Sequence, residues 1–391
     1  MASPNVTGIQ CEGAEIRDWT KVTVARSLMQ ASGSFEITIA KSSPTFLKPG
    51  ASVLIWRGRT RVAAGYVDTL SHSIKDGQAQ RVFTGRDATA DLADCCIDVD
   101  IPNSEIKSKR SWKNSTATII ARQILQPFGL KVLSFGSAAE KMIPFLSSAP
   151  GETCFEVIER AMRLSGVICY PDNGTRLAIG TPGGNRVEEQ LVFGRNITEL
   201  ELGHSMHNRY SKVVVVGQSS GNDDAFASLV SDVSGVAYDD DVPRPRPLLV
   251  LAETGVTPGL AQSRADWEVA VRKARSIELA VSVKGWERAG DGGDLWNLNQ
   301  VVRVVVAPML IDSDFLVAGV RFDQSDRGGS TCELSLVAPD AYLPEPLAAK
   351  AKQGNPILEY LSQTPDVGTD VSDRSGPEDD PDAVEDGEEE R

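Results

Sequence analysis

The 391-residue sequence lacks the short motifs that usually mark an enzyme or a nucleotide-binding protein. It has no GxGxxG or Walker loop, no GxSxG elbow and no HExxH pair. Only three histidines are present, His72, His204 and His207. The last two lie in a segment with strand character, where residues three apart face opposite sides and cannot share a metal. Spacing alone leaves a Ser-His-Asp site open, but no segment favours one. We therefore predict no catalytic, cofactor-binding or metal-binding residues.

Cysteines are few, and their spacing suits neither a metal site nor a disulfide scaffold. None of the six forms a CxxC pair. Cys95 and Cys96 are neighbours, so a disulfide between them would be strained. Zinc needs about four well-spaced ligands, and the nearest histidine in sequence is His72. We expect the two cysteines to be small, half-buried residues in a reducing compartment.

Long hydrophobic runs are also missing. No apolar stretch approaches the roughly 20 residues of a membrane span. The N-terminus shows no basic region followed by an apolar core, as a secretory signal would. We therefore predict no membrane insertion and folding in a cytoplasm.

The sequence has no surplus of basic residues, and its net charge is −14. The segment from Glu359 to Arg391 holds 13 acidic and 2 basic residues, so the remainder carries only −3. Such a body offers no basic surface for gripping phosphates, which argues against specific nucleic-acid binding. The acidic segment is predicted to be disordered. Its one apolar island supplies the candidate partner-binding residues Ile357, Leu358, Tyr360 and Leu361. The alternative is a solubilising linker that touches nothing.

The sequence is rich in strand patterns at both ends of the predicted body. Residues 5–87 alternate apolar and polar side chains, with hairpin turns at Arg57–Arg59 and at Asp76 and Gly77. Alternation returns after residue 190, where Val213 to Val216 form a continuous apolar run typical of a strand covered on both faces. Trp286 and Trp296 lie near strand ends there. They are expected to pack in the core, or alternatively to receive another subunit at a barrel rim.

Helical patterns occur in two places. Between residues 95 and 187, Ser115 or Thr116 caps one helix, and a second begins after Pro150. After residue 217 we expect a long excursion, stiffened by prolines around Pro245. A further helix follows, with its apolar stripe at Leu260, Trp267, Val271 and Ala274.

These patterns predict a mainly β fold with an α+β insert. Two β domains, residues 1–94 and 190–343, flank a small α/β domain at residues 95–189, and a disordered acidic tail covers residues 344–391. Short antiparallel strands at this spacing are typical of a small barrel or a sandwich. The corner "GRDATADLADCCID" would pass the chain from the first barrel to the insert. Asp87 could cap the short acidic helix there.

Several segments, taken together, resemble a known family. They are "TGRDATADLADC", "PGETCFEVIERAMRLSGVICYPDNGTRLAIG", "PRPRPLLVLAE" and "RADWEVAVRKARS…VSVKGW…LWNLNQVVRV". Their order and spacing over residues 5–343 resemble the baseplate hub proteins of Mu-like contractile-tailed phages. More distantly they are similar to other myophage hubs and to the hub module of VgrG spikes.

The resemblance implies a structural virion protein of the tail baseplate, assembled in the host cytoplasm. It implies a homotrimer whose two barrels per chain form a six-barrel ring around a channel for DNA passage. The ring would join the sixfold tail tube to the threefold spike, so the tail spike protein, the tube and other baseplate proteins are the expected partners. It implies no cofactor and no enzymatic activity. The alternative function is that of a tail-associated enzyme or module that binds or degrades the cell wall.

Overall fold

The computed structural model describes residues 7–40, 47–75, 78–97, 109–136, 140–217, 233–252, 257–288, 293–326 and 328–346. In these ranges the chain forms 21 strands and four α-helices, which confirms the predicted mainly β fold with an α+β insert. No helix within them combines the length and apolar character needed to cross a bilayer.

The first seven strands form β unit 1. They are β1 (Thr7–Cys11), β2 (Ala14–Ile16), β3 (Trp19–Ser27), β4 (Ser34–Ala40), β5 (Ser52–Arg57), β6 (Thr60–Lys75) and β7 (Gln78–Asp87). All neighbours pair antiparallel, and the sheet order is β3-β4-β7-β6-β5-β1-β2. The predicted hairpin at Arg57–Arg59 is confirmed, since β5 and β6 pair on either side of it. Asp76 and Gly77 lie outside the described residues, although the strands on both sides of them pair.

The insert follows β unit 1 and has a core of its own. Its elements are α1 (Asp91–Asp94), β8 (Ser111–Thr116), α2 (Ala117–Leu125), β9 (Lys131–Ser134), β10 (Met142–Ser147), α3 (Cys154–Ser165), β11 (Ile168–Asp172) and β12 (Arg176–Gly180). Thr116 caps α2, as predicted. Thr153 caps α3 through a reciprocal capping box with Glu156, a signal that the sequence also carries.

Two separate stretches of the chain form β unit 2, and a small three-stranded sheet and a helix lie between them in sequence. The elements are β13 (Asn185–Val192), β14 (Ile197–His204), β15 (Lys212–Gly217), β16 (Val233–Tyr238), β17 (Pro247–Leu251), α4 (Pro258–Ala274), β18 (Ile277–Lys284), β19 (Gln300–Val306), β20 (Ile311–Ser325) and β21 (Gly329–Val337). Strands β13, β14 and β18–β21 are β unit 2. Strands β15–β17 pair in the order β16-β15-β17 and are called the side sheet.

Strand β20 joins the two β units into one 13-stranded sheet. Its first half pairs with β19, its second half pairs with β3 of β unit 1, and β21 runs along its other edge. The buried apolar side chains of both units form one continuous cluster. The two predicted barrels are therefore fused through a shared strand and a shared core.

The run from Val213 to Val216 is not the two-sided strand that was expected, whereas the proline segment is extended, as expected. Val213 and Val215 are buried against α4, but Val214 and Val216 are only half-buried, so β15 is covered on one face. The proline segment is extended, yet from Pro247 onward it is a strand parallel to β15. A short apolar run fits a one-sided strand as well as a two-sided one, so periodicity could not distinguish them.

Helix α4 packs on the side sheet through small residues. Its buried face holds Ala261, Ala265, Glu268, Val271 and Ala274, whereas the predicted Leu260 and Trp267 are only half-buried. A Cβ at Gly235 of β16 would lie 2.2 Å from the Ala261 carbonyl carbon. Helix and sheet therefore approach each other at a position where only glycine fits.

We expect Gly235→Ala to destabilise the side sheet by about 1–3 kcal/mol, because the new methyl group must push α4 away. Thermal unfolding and hydrogen exchange of β15 measure the effect. Gly259→Ala on α4 is the matched control, since a methyl group added at that position would meet no atom within 4 Å. Equal behaviour of the two variants would contradict the close helix–sheet contact.

Candidate functional site

The histidines and cysteines do not come together as a ligand set. His72 lies exposed on β6, His204 ends β14, and His207 lies in the turn that follows. In the described part of the chain, no three His, Cys, Asp or Glu residues are placed to hold a metal ion.

The corner after β7 brings β unit 1 and the insert into contact. Cys96 pairs with Thr153 in an isolated antiparallel bridge, and its thiol lies 3.4 Å from the Gly151 carbonyl oxygen. Cys96 is half-buried as expected, but Cys95 is exposed, so the prediction was wrong for that residue. Both thiols are free, and the corner has a packing role.

Asp87 is the buried charge at this corner. It precedes the short helical turns, but its side chain makes no capping bond, contrary to the prediction. Its carboxylate instead accepts the Ala64 N–H at 3.3 Å and faces Arg26 and Arg61. Burial raises the pKa of Asp87 to about 6, although the two arginines and the backbone donors of Ala64 and Gly33 act in the opposite direction.

Arg26 on β3 connects three parts of the chain. Its side chain is 4% exposed, and its Nη1 lies 4.0 Å from Oδ1 of Asp172 at the end of β11. Its guanidinium also lies 5.8 Å from the ring centroid of Phe322 on β20. Asp172 in turn forms an ion pair with Arg176 at 2.6 Å. The insert is therefore attached to both β units at one buried, charged point.

A second buried ion pair lies where the two β units meet. Arg57, the last residue of β5, donates to Glu287 at 2.7 Å, and both side chains are under 10% exposed. Arg57 also donates to Gln324 of β20 at 2.9 Å. Burial raises the pKa of Glu287, but the Arg57 hydrogen bond and charge outweigh it, so the net pKa lies below its ordinary value.

The tryptophans after β18 complete this junction. Trp286 is fully buried, donates its Nε1–H to the Asp323 carbonyl oxygen at 3.0 Å, and lies 5.1 Å from the Phe322 ring centroid. The Arg57 guanidinium lies 5.1 Å from the Trp286 ring centroid. Trp296 is also buried, at 1% exposure. Both rings are thus core residues within one chain, which is the packing alternative considered from the sequence.

The side sheet has exposed apolar side chains on one of its faces. Opposite α4, it presents Tyr238, Leu249 and Leu251, which are 62%, 62% and 73% exposed. Val214, Val216 and Val236 lie half-buried between them. The candidate residues Ile357, Leu358, Tyr360 and Leu361 lie outside the described residues.

Three family models match successive parts of the chain. Residues 7–87 match the N-terminal domain of Mu phage baseplate assembly protein GpP-like proteins, residues 89–181 match the second domain of gp44-like baseplate hub proteins, and residues 257–345 match the fourth domain of Mu phage baseplate assembly protein GpP. The chain belongs to the Mu-like family of baseplate hub proteins. The resemblance inferred from the sequence is thereby confirmed, and with it the placement of this protein in the tail of a virion.

Individual relatives are similar to this chain over most of its length. The chain is 29% identical over 349 residues to the baseplate hub protein gp44 of Escherichia phage Mu, covering 87% of this chain and 89% of that protein. The 43 kDa tail protein of prophage MuSo2 from Shewanella oneidensis is 28% identical, with a TM-score of 0.71 over 86% of this chain and 99% of its own. A tail protein of Neisseria meningitidis MC58, 21% identical, shares the fold with a TM-score of 0.67 over 87% of this chain and 98% of its own.

Sequence reasoning missed Arg57, Glu287 and Asp87 as junction residues of the hub. Arg57 was assigned only to a turn, and Asp87 only to a helix cap. Nothing in a single sequence pairs Arg57 with a carboxylate 230 residues away. A local signal did exist for Asp87, because it ends a strand and is followed by the small residues Ala88, Thr89 and Ala90.

We expect Arg57→Met to lower the free energy of unfolding by about 3–5 kcal/mol, because Glu287 is left buried without its partner. The double variant Arg57→Met/Glu287→Leu should recover most of that loss, since no unpaired charge remains. Urea unfolding measures both. Arg303→Met is the control, because its pair with Asp312 is 41% and 57% exposed and is worth under about 1 kcal/mol.

Asp87→Asn should alter how stability depends on pH. The folded pKa of about 6 exceeds the ordinary value of 3.8, so ionisation of Asp87 opposes folding. Its contribution is most favourable below pH 3.8 and is lost as the pH rises through 6. Asparagine keeps an acceptor for Ala64 without the charge.

The gain in stability of the variant over the native chain should therefore grow between pH 3.8 and about 6 and reach up to about 3 kcal/mol. Thermal unfolding across that range measures the gain. Asp294→Asn is the control, because its side chain is 89% exposed. A difference between native chain and Asp87→Asn that stays constant with pH would contradict the buried charge.

Proposed function

We propose that this hub protein works as a homotrimer in which three chains form a ring of six barrels. The observation that carries the proposal is the fusion of two β units through β20 and β3 within each chain. Three copies of such a fused pair give six similar units arranged with threefold symmetry. A ring of this kind can face a sixfold tail tube on one side and a threefold spike on the other.

This proposal assigns a role to each part of the chain. Residues 1–94 and 190–343 would be the two tail-tube-like barrel domains, residues 95–189 the α/β insert domain, and residues 344–391 the acidic tail, whose first three residues lie along α4. The barrels would surround the channel, and the insert would brace them from outside through Arg26 and Asp172.

Passage of DNA through the channel is part of the same proposal. The body carries a net charge of only −3 once the acidic tail is set aside. A lining without a surplus of Lys and Arg would hold phosphates weakly and let DNA slide during ejection. The partners would be the tail spike protein, the tail tube and other baseplate proteins.

We further propose that the hub has no enzymatic activity of its own. The relatives matched over most of the chain are named as baseplate hub and tail proteins. The described histidines, cysteines and carboxylates form no cluster that could hold a metal ion to activate water. The competing function, binding or cutting of the cell wall, has no residue set in the described structure to support it.

Light scattering on a sizing column tests the trimer. We expect a mass near 126 kDa, three times the 42.0 kDa of one chain, and electron microscopy should then show a ring with a central opening. If the purified chain is a monomer, the spike protein is added as a template. A chain that stays monomeric with the spike present would contradict the ring.

A zymogram on peptidoglycan tests the absence of activity. We expect no clearing of the cell-wall substrate, with lysozyme as the positive control on the same gel. Clearing by the purified hub would favour the alternative of a tail-associated wall-degrading enzyme.

A further inference from the structure

The side sheet leaves one apolar face without cover in the described structure. Tyr238, Leu249 and Leu251 stand at least 62% exposed there, over the half-buried Val214, Val216 and Val236. The face opposite α4 thus joins apolar side chains from all three strands. Contiguous exposed apolar patches on soluble proteins usually mark a surface that binds another segment or protein.

The chain leaves the described structure beside this same module. Trp267 of α4 donates its Nε1–H to the Leu343 carbonyl oxygen at 2.9 Å. Arg275 donates to the Ala341 carbonyl oxygen at 2.7 Å, and Arg264 forms an ion pair with Glu345. The C-terminal segment is therefore held along α4 up to Pro346, on the opposite side of the side sheet from the apolar face.

The sequence beyond Pro346 contains a short segment with helix signals. Asn355 is a good N-cap, and Pro356 suits the first helical position. In a helix from there, the apolar residues fall within an arc of about 160°, and Glu359 lies outside it. The residues of that apolar arc are Ile357, Leu358, Tyr360 and Leu361. This island is the one place in the acidic tail that can bury apolar area.

The connecting segment is long enough to reach the face. Residues 347–355 are nine residues, which span up to about 30 Å when extended. As a flexible linker they cover about 16 Å on average. A helix on the far side of the sheet lies roughly 20 Å from α4, because packed layers are about 10 Å apart. Either edge of the three-stranded side sheet, β16 or β17, can therefore be passed by the linker.

We propose that residues 355–363 dock as a short helix on the apolar face of the side sheet of their own chain. A helix of about seven residues is about 10 Å long, which matches the width of three strands spaced about 4.8 Å apart. The short linker gives an effective concentration in the millimolar range, so a modest apolar contact is enough.

The charges near the apolar face also favour residues 355–363 as the segment that binds there. Lys212 and Arg244 are exposed at the end of the face where β15 and β17 begin, beside the exposed Asp240 and Asp241, of which Asp241 already pairs with Lys273. The segment after the island, residues 364–391, is strongly acidic. Docking places these opposite charges near each other, whereas two copies of the face itself would bring like charges together. The proposal does not depend on the ring or the channel, and a trimer is compatible with either outcome of its test.

Hydrogen exchange on the full-length chain tests the docking. We expect the amides of residues 248–251 to exchange about tenfold faster when the tail is removed after Pro346. Ile357→Asp/Leu361→Asp should give the same loss of protection at full tail length. Val371→Asp/Val384→Asp is the matched control, because it adds the same charge to the same tail outside the island. Unchanged protection in the truncated chain would overturn the proposal.

A photoreactive benzophenone side chain in place of Tyr360 identifies the occupied surface. We expect crosslinks to residues 247–251 in a band with the mass of one chain. Leu249→Asp should abolish them, and Leu310→Asp should not, since Leu310 is 74% exposed but lies outside the side sheet. Crosslinks to another surface, or a band with the mass of two chains, would overturn docking within one chain.

Discussion

The pairing of β20 with β3 is the contact on which the rest of the structure depends. Seven residues of β20, from Gly319 to Ser325, pair with seven residues of β3 and convert two small sheets into one. The backbone hydrogen bonds between β20 and β3 could form in more than one register, but the side chains packed against the two strands fit only one. Arg57 and Glu287 meet only when the end of β5 lies beside the turn after β18. Trp286 packs next to this ion pair. A buried ion pair adds little net stability, but it strongly disfavours any arrangement that leaves one charge unpaired.

Buried ion pairs also lie at two other contacts between parts of the chain. Arg26 with Asp172 fixes the insert against the fused β units, and Arg209 with Asp239 fixes the start of the side sheet at 2.7 Å, with side chains 1% and 4% exposed. Apolar packing alone would hold these parts together without deciding their orientation. Specific buried charges decide it, since each guanidinium accepts few positions for its carboxylate.

Local signals in the sequence predicted local structure well and tertiary partners poorly. The hairpin after Arg57, the cap at Thr116 and the helix around Val271 depend on neighbours within a few residues, and all three were predicted correctly. The one-sided burial of β15 and the true buried stripe of α4 depend on what packs against them, which periodicity does not contain. Asp87 and Glu287 were missed for the same reason, because their partners come from distant segments. The family resemblance supplied the function, since assembly surfaces carry no short motif.

In the proposed ring, the fusion of two barrels through β20 would also reduce the number of association steps. Six independent barrels would need five association steps to close a ring, and each step loses translational and rotational freedom. Two barrels fused in one polypeptide need only two such steps for three chains. Half of the barrel-to-barrel contacts would then form during folding, at any protein concentration. The remaining contacts would be chemically different from these, so the proposed ring would have threefold symmetry before any spike binds.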